Sequence, residues 1–153
     1  MHGQGADRYE HPRIGLNSRL DTIQAAILLE KLKIFPDEVI ARDRIAARYD
    51  KGLKSNRIRT PVVIDGAKSV WAQYTIQIDN RAKLQADLKD QGIPTAVHYP
   101  IALSKQRAYA DFPSVPTPNS EKLAQRVVSL PMHPYLDEKT QDRIIEAVLK
   151  SVG

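Results

Sequence analysis

The stretch from Val70 to Ile78 constrains the fold most. Val70, Ala72, Tyr74, Ile76 and Ile78 alternate with Trp71, Gln73, Thr75 and Gln77. Period two over this length predicts a half-buried strand with one face on a core. Such a strand needs a partner strand and a covering layer, and the flanking sequence supplies candidates for both. Asp79-Asn80 caps a helix through Leu84 and Leu88, which Gly92 closes at a left-handed position. Pro94 precedes a short β-prone run, Thr95 to Tyr99, stopped by Pro100. Residues 100–118 carry four prolines and read as a loop excursion of the kind found near ligands. Ser120 to Val128 reads as a short helix. Ser129 to Met132 reads as a short edge strand or extended piece, because Pro131 cannot serve a central strand. Asp137 caps a last helix whose core face is Ile144, Ile145, Val148 and Leu149.

Two helices are expected ahead of this unit. Leu20 to Lys33 is apolar on more than one side, the mark of a helix that is buried or packs on something outside the chain. Phe35-Pro36 should end it, since the residue before proline avoids the helical region. Asp37 to Lys54 should form the second helix, and Asn56 to Lys68 a loop with at most a short strand. Residues 1–13 are polar and interrupted by Gly3, Gly5 and Pro12, and read as disordered or partner-dependent. The order of elements gives an α+β class: a small, mainly antiparallel sheet with helices on one side, preceded by two helices.

Composition narrows the function classes. With 153 residues, 42% apolar and 27% charged, the chain suits one soluble domain with a real core. No run approaches the ~18 apolar residues of a membrane span, so no membrane partner is expected. No secretory pattern opens the chain, and it has no cysteine. A cytoplasmic enzyme fits these features. The net charge is +5, sharpest from Arg42 to Arg59, where seven basic residues face Asp43 and Asp50. Only Tyr49 is interleaved there as an aromatic, so the run reads as a solvated helix face and no nucleic acid is expected as a partner. His2 and His11 lack a carboxylate or cysteine spacing that would make a metal site.

The stretch GLNSRLDTIQAA, from Gly15 to Ala26, packs polar groups against the mouth of a helix. One reading is plain helix entry: Asn17 or Ser18 caps, Asp21 lies in the first turn, and Arg19 is solvated. The other is an anion site, because the first turn of a helix leaves backbone N–H groups unsatisfied.

The order Gly-x-Asn-x-Arg-Leu-Asp-x-x-Gln-Ala-Ala resembles the DegT/DnrJ/EryC1/StrS family of sugar aminotransferases. WAQYTIQIDNR at 71–81, GIPTAVHYPIALSKQ at 92–106 and SLPMHPYLD at 129–137 extend the match in the right order. His2-Gly3 matches an HG pair that precedes a mobile loop in the family. The resemblance is greatest to members acting on a UDP-linked 3-keto-uronic acid in lipopolysaccharide O-antigen synthesis. It implies the C-terminal domain of a fold type I enzyme that uses pyridoxal 5'-phosphate, with glutamate the usual amino donor. Residues 1–18 would then continue from a missing N-terminal large domain, and residues 19–153 would form the C-terminal small domain. None of the eleven lysines stands in the family's Schiff-base motif, so no catalytic residue is expected here and the chain alone should be inactive.

By the same resemblance, Asn17 reaches the cofactor phosphate of the neighbouring subunit in a homodimer. Arg19 lies near the acidic sugar, where a planar fork of donors suits an oxyanion. His98 and Tyr99 match a histidine-tyrosine pair beside the UDP-sugar substrate. Taken from the residues alone, His98 also reads as a structural histidine at a strand end and Tyr99 as a core aromatic. His133, in LPMHP, reads as a turn residue. The competing class is a free-standing basic α+β module for a nucleotide, a polyanion or a partner protein.

Overall fold

A computed structural model describes residues 3–7, 9–15, 20–113 and 115–153. Helix α1 spans Thr22–Gly52, strand β1 Tyr74–Gln77, helix α2 Arg81–Asp90, helix α3 Pro118–Arg126, strand β2 Val127–Leu130 and helix α4 Glu138–Val152. Two short 3-10 turns, Leu103–Lys105 and Arg107–Tyr109, lie between α2 and α3.

The two strands pair antiparallel, with Tyr74 opposite Leu130, Thr75 opposite Ser129, Ile76 opposite Val128 and Gln77 opposite Val127. Period two then sorts the residues. Tyr74, Ile76, Val128 and Leu130 are buried and join Tyr49, Leu84, Leu88, Ile144 and Val148 in one core. That core unites the sheet with α2, α4 and the second half of α1, the α+β arrangement expected. Single bridges widen the sheet on both sides, Arg59 to Gln77 and Ala96 to Ser129.

The strand is shorter at its start than the alternation suggests. Trp71 has a positive φ of 49°, which ends the extended run before Tyr74. Its indole N–H donates to Asp43 at 3.0 Å and its carbonyl accepts from Arg42 at 3.1 Å, so α1 fixes this turn. The β2 segment also differs. It starts at Val127 rather than Ser129, and it lies between β1 and the Ala96 bridge rather than at an edge. Pairing with β1 draws Val127 and Val128 out of the preceding helix. Pro131 falls just past the last ladder residue, so its missing N–H does not interrupt the pairing.

The two leading helices are one. Asp21 is the N-cap of α1, with its N–H donating to Gln24 Oε1 at 3.4 Å, and the helix runs through Pro36. Proline's fixed φ is itself helical; what it removes is one hydrogen bond, to the carbonyl four residues back. Leu32, which carries that carbonyl, is 59% exposed. Downstream, docking holds the helix. Ile45, Ala46 and Tyr49 are buried, Arg48 grips Asp142 of α4 at 2.6 and 2.8 Å, and Gln141 donates to the Ile45 carbonyl at 2.7 Å.

The basic run is therefore not merely a solvated face. Arg42, Arg48 and Arg57 tie α1 and the loop after it to Trp71 and Met132, to α4, and to the Val152 and Gly153 carbonyls. The first half of α1 is different. Ile23, Leu29 and Leu32 are 77%, 65% and 59% exposed, with Ile27 and Leu28 beside them.

Three local signals hold as read. Asn80 accepts from the Lys83 N–H at 3.2 Å, Gly92 closes α2 at φ 70°, and Asp137 accepts from the Thr140 N–H at 2.9 Å. No described helix is long and apolar enough to cross a membrane.

Candidate functional site

The sheet places His98. Ala96 pairs with Ser129 through two backbone hydrogen bonds, 2.7 and 3.2 Å. Two residues on, His98 points to the same face as Ala96, diagonal to Ser129. Its Nδ1 lies 3.3 Å from Ser129 Oγ, and Ser129 Oγ lies 2.8 Å from Thr75 Oγ1. Ser129 is only 2% exposed, so the ring is held from beneath by a buried hydroxyl. The peptide between His98 and Tyr99 is cis. Tyr99 is 63% exposed and edge-on to both His98 and Tyr9, at centroid distances of 5.6 and 6.0 Å. The core-aromatic reading of Tyr99 is thus excluded. His133 does serve a turn, its carbonyl accepting from the Leu136 N–H.

The described part of the N-terminal segment is docked rather than disordered. Gln106 clamps it: its side chain accepts from the His11 N–H at 3.0 Å and donates to the Tyr9 carbonyl at 3.0 Å. The Ala108 N–H donates to the His11 carbonyl at 3.0 Å, and Arg107 pairs with Glu10 at 2.8 Å. The clamp satisfies backbone groups that the glycines and proline leave without secondary structure.

Between this segment and the 98–109 loops lies a cleft of about 580 Å³. Its walls include Tyr9, His11, Arg13, His98, Tyr99 and Tyr109, with Ile14, Ile101 and Leu103 as apolar lining. Gly15, the last described residue before Asn17 and Arg19, also lines it. Asn17 and Arg19 themselves lie outside the described residues. The structure therefore brings His98 and Tyr99 together. It adds Tyr9, His11, Arg13 and Tyr109, which no local motif marks: their proximity arises from contacts spanning some 95 residues.

The chemistry of the walls is one-sided. Among the described lining residues there is an arginine and two histidines but no aspartate, glutamate or lysine. Among the described residues the Arg13 side chain has no ion-pair partner. Such a surface suits an anion with an apolar or aromatic portion. It does not suit the covalent anchoring of pyridoxal phosphate, which needs a lysine amine. Among the described residues no group of three His, Asp or Glu side chains could hold a metal.

The cleft carries one arginine, two histidines and three tyrosines, and the first half of α1 leaves its apolar side chains exposed. The chain belongs to the DegT/DnrJ/EryC1/StrS aminotransferase family, whose model matches residues 1–149. This family is pyridoxal-phosphate dependent.

Over 136 residues the chain is 56% identical to UDP-2-acetamido-2-deoxy-3-oxo-D-glucuronate aminotransferase of Pseudomonas aeruginosa. The match covers 89% of this chain and 37% of that protein. The fold superposes on a DegT DnrJ EryC1 StrS aminotransferase from Brucella abortus with a TM-score of 0.83 and 49% identity, covering 99% of this chain and 41% of that one. NtdA from Bacillus subtilis, solved with bound cofactor PMP, superposes with a TM-score of 0.74 at 28% identity, covering 90% of this chain and 34% of that one. The chain thus spans well under half the length of the relatives it matches.

Proposed function

We propose that this chain is the C-terminal small domain of a pyridoxal-phosphate-dependent nucleotide-sugar aminotransferase. Residues 1–18 continue from a large domain that carries the cofactor lysine, and residues 19–153 form the small domain. The reaction moves an amino group, with glutamate as donor, onto a UDP-linked 3-keto sugar or uronic acid. Its place is cytoplasmic lipopolysaccharide O-antigen synthesis.

The observation that carries the reading is the cleft at His98 and Tyr99. It is lined by an arginine, histidines and aromatics, with no lysine among its described lining residues, as half of a shared site should be. Arg19 reads the sugar acid, His98 and Tyr99 line the nucleotide-sugar, and Asn17 meets the cofactor phosphate of the other subunit in a homodimer. Alone, the chain is inactive. The bare apolar half of α1 supports an obligatory neighbour, since exposed patches of this kind mark interfaces.

The test is amino transfer by the full-length enzyme. With glutamate and a UDP-linked 3-keto-uronic acid, the amino-sugar product should appear by mass spectrometry, whereas the 153-residue chain with pyridoxal phosphate should yield none. Arg19→Lys should raise KM for the acidic substrate, because lysine cannot reproduce the bidentate fork. It should leave KM for a neutral UDP-sugar unchanged. An equal rise for both would show that Arg19 does not read the acid.

A further inference from the structure

The proposed role of His98 as a substrate-lining residue leaves open which of its nitrogens carries the proton. We propose that Thr75 and the buried Ser129 form a hydroxyl relay that fixes His98 as its Nε2–H tautomer, so that the ring offers the cleft a hydrogen-bond donor for an acidic oxygen of the ligand. This rests on the reading of the cleft as a nucleotide-sugar site. The tautomer itself does not.

The relay is set by the sheet register. Thr75 and Ser129 are directly opposite across β1 and β2, and their hydroxyls meet at 2.8 Å. Ser129 also pairs with Ala96, which brings His98 onto the same face with Nδ1 3.3 Å from the Ser129 hydroxyl. Three polar side chains thus stand in one line: Thr75, Ser129, His98.

Proton counting gives the direction. Each hydroxyl has one proton to donate. Among the described residues, Ser129 Oγ is the protein partner of the Thr75 hydroxyl, and either oxygen could donate. If Thr75 donates to Ser129, the single Ser129 proton is left for His98 Nδ1. A neutral imidazole whose Nδ1 accepts must carry its proton on Nε2. The opposite direction would have Nδ1–H donate to Ser129 and Ser129 donate to Thr75. The Thr75 proton would then have no described protein acceptor. Thr75 is only partly exposed, so the direction that spends its proton on Ser129 is favoured over one that leaves it to water.

The consequence for recognition is specific. A cleft wall that already carries Arg13 and no carboxylate gains a neutral donor at Nε2. A donor there discriminates for an acceptor oxygen, such as a carboxylate or diphosphate oxygen. With the reverse tautomer Nε2 would be an acceptor and would repel those groups. Ser129 and Thr75 are positioning residues: they act through His98.

The experiment reads the tautomer directly. The protein is 15N-labelled at histidine, and the His98 signals are assigned by their loss in His98→Gln. The spectrum is taken at about pH 8.5, two units above the ordinary imidazole value. The expected pattern is a protonated-type shift at Nε2 and an unprotonated-type shift at Nδ1. Ser129→Ala should abolish this preference, and the milder Thr75→Val should reduce it while keeping the β-branched shape. A protonated Nδ1 in the unmodified protein, or an unchanged pattern in both variants, overturns the relay.

A titration of the full-length enzyme with UDP-glucuronic acid then separates this inference from the site reading. If the ligand leaves His98 Nε2 unmoved while the tautomer pattern stands, the relay holds and the site assignment fails. In the full-length enzyme, Ser129→Ala should raise KM for the acidic substrate by about tenfold or less, the size of one net hydrogen bond. The kcat value should change far less. A loss confined to kcat contradicts a role in binding.

Discussion

Tyr49 and Tyr74 should make the fold sensitive to alkali in a way that two substitutions can dissect. Both phenols are fully buried, and their rings stack at 4.8 Å. Tyr49 donates to the Pro131 carbonyl at 2.9 Å, and Tyr74 donates to Asp50 at 2.5 Å. Burial pushes both phenols above the ordinary tyrosine range; for Tyr74 the hydrogen bond to Asp50 and its charge add to that. In the unfolded chain they ionise at the ordinary tyrosine value of about 10. Above that pH the folded state therefore holds more protons than the unfolded one, so stability falls as pH rises.

Each phenol contributes about 1.4 kcal/mol per pH unit, and the pair about 2.7. Against a typical total of about 5–15 kcal/mol, one to two pH units should consume a large share of the stability. The assay is urea unfolding at pH 8, 10.5 and 11.5 on the unmodified chain and on Tyr49→Phe and Tyr74→Phe. At pH 8 Tyr74→Phe should cost about 1.5 kcal/mol, the low end for a hydrogen bond to a charged group, because Asp50 is exposed and can rehydrate. Tyr49→Phe should cost about 1 kcal/mol. Each variant should lose about half of the alkaline slope. An unchanged slope in both, or constant stability from pH 8 to 11.5, would refute the argument.

Three further outcomes are expected. Pro36→Ala should restore a backbone hydrogen bond inside α1 and raise stability by about 1–3 kcal/mol, with slower amide exchange across residues 22–35; a lower melting temperature would show that proline is needed there. The chain should self-associate through the first half of α1, and Leu29→Glu with Ile23→Glu should make it monomeric in sedimentation, since those side chains are 65% and 77% exposed; a monomeric parent chain, or unaltered association in the variant, would refute this. Asn17→Ala in the full-length enzyme should weaken cofactor retention by about one to two powers of ten. Mixing that variant with subunits lacking the cofactor lysine should restore activity; mixed dimers without recovery would confine Asn17 to its own subunit.

Much of the site was legible only as motif. Gly15 to Ala26 and His98-Tyr99 stand out by the order of their residues, and the structure sets His98 and Tyr99 on a cleft wall that Gly15 also lines. Arg13, His11 and Tyr9 were not legible, because they belong to the cleft only through the Gln106 clamp, and no local pattern encodes a contact 95 or 97 residues away.

The division follows the range of the interactions. The sequence by itself determined what is local. The alternation at Tyr74 to Ile78, the Asn80 and Asp137 caps and the Gly92 stop each depend on neighbours within a few residues, where backbone sterics and capping act. Tertiary structure alone decided the rest. Pro36 is a helix breaker by local rules, yet α1 continues because its second half is anchored by Tyr49, Arg48 and the Gln141 contact to Ile45. Val127 and Val128 fit a helix by pattern, but pairing with Gln77 and Ile76 commits them to β2. The alignment of Thr75, Ser129 and His98 needs three chain segments in one register. In each case a non-local hydrogen bond or buried contact outweighs a local preference of a few kcal/mol or less.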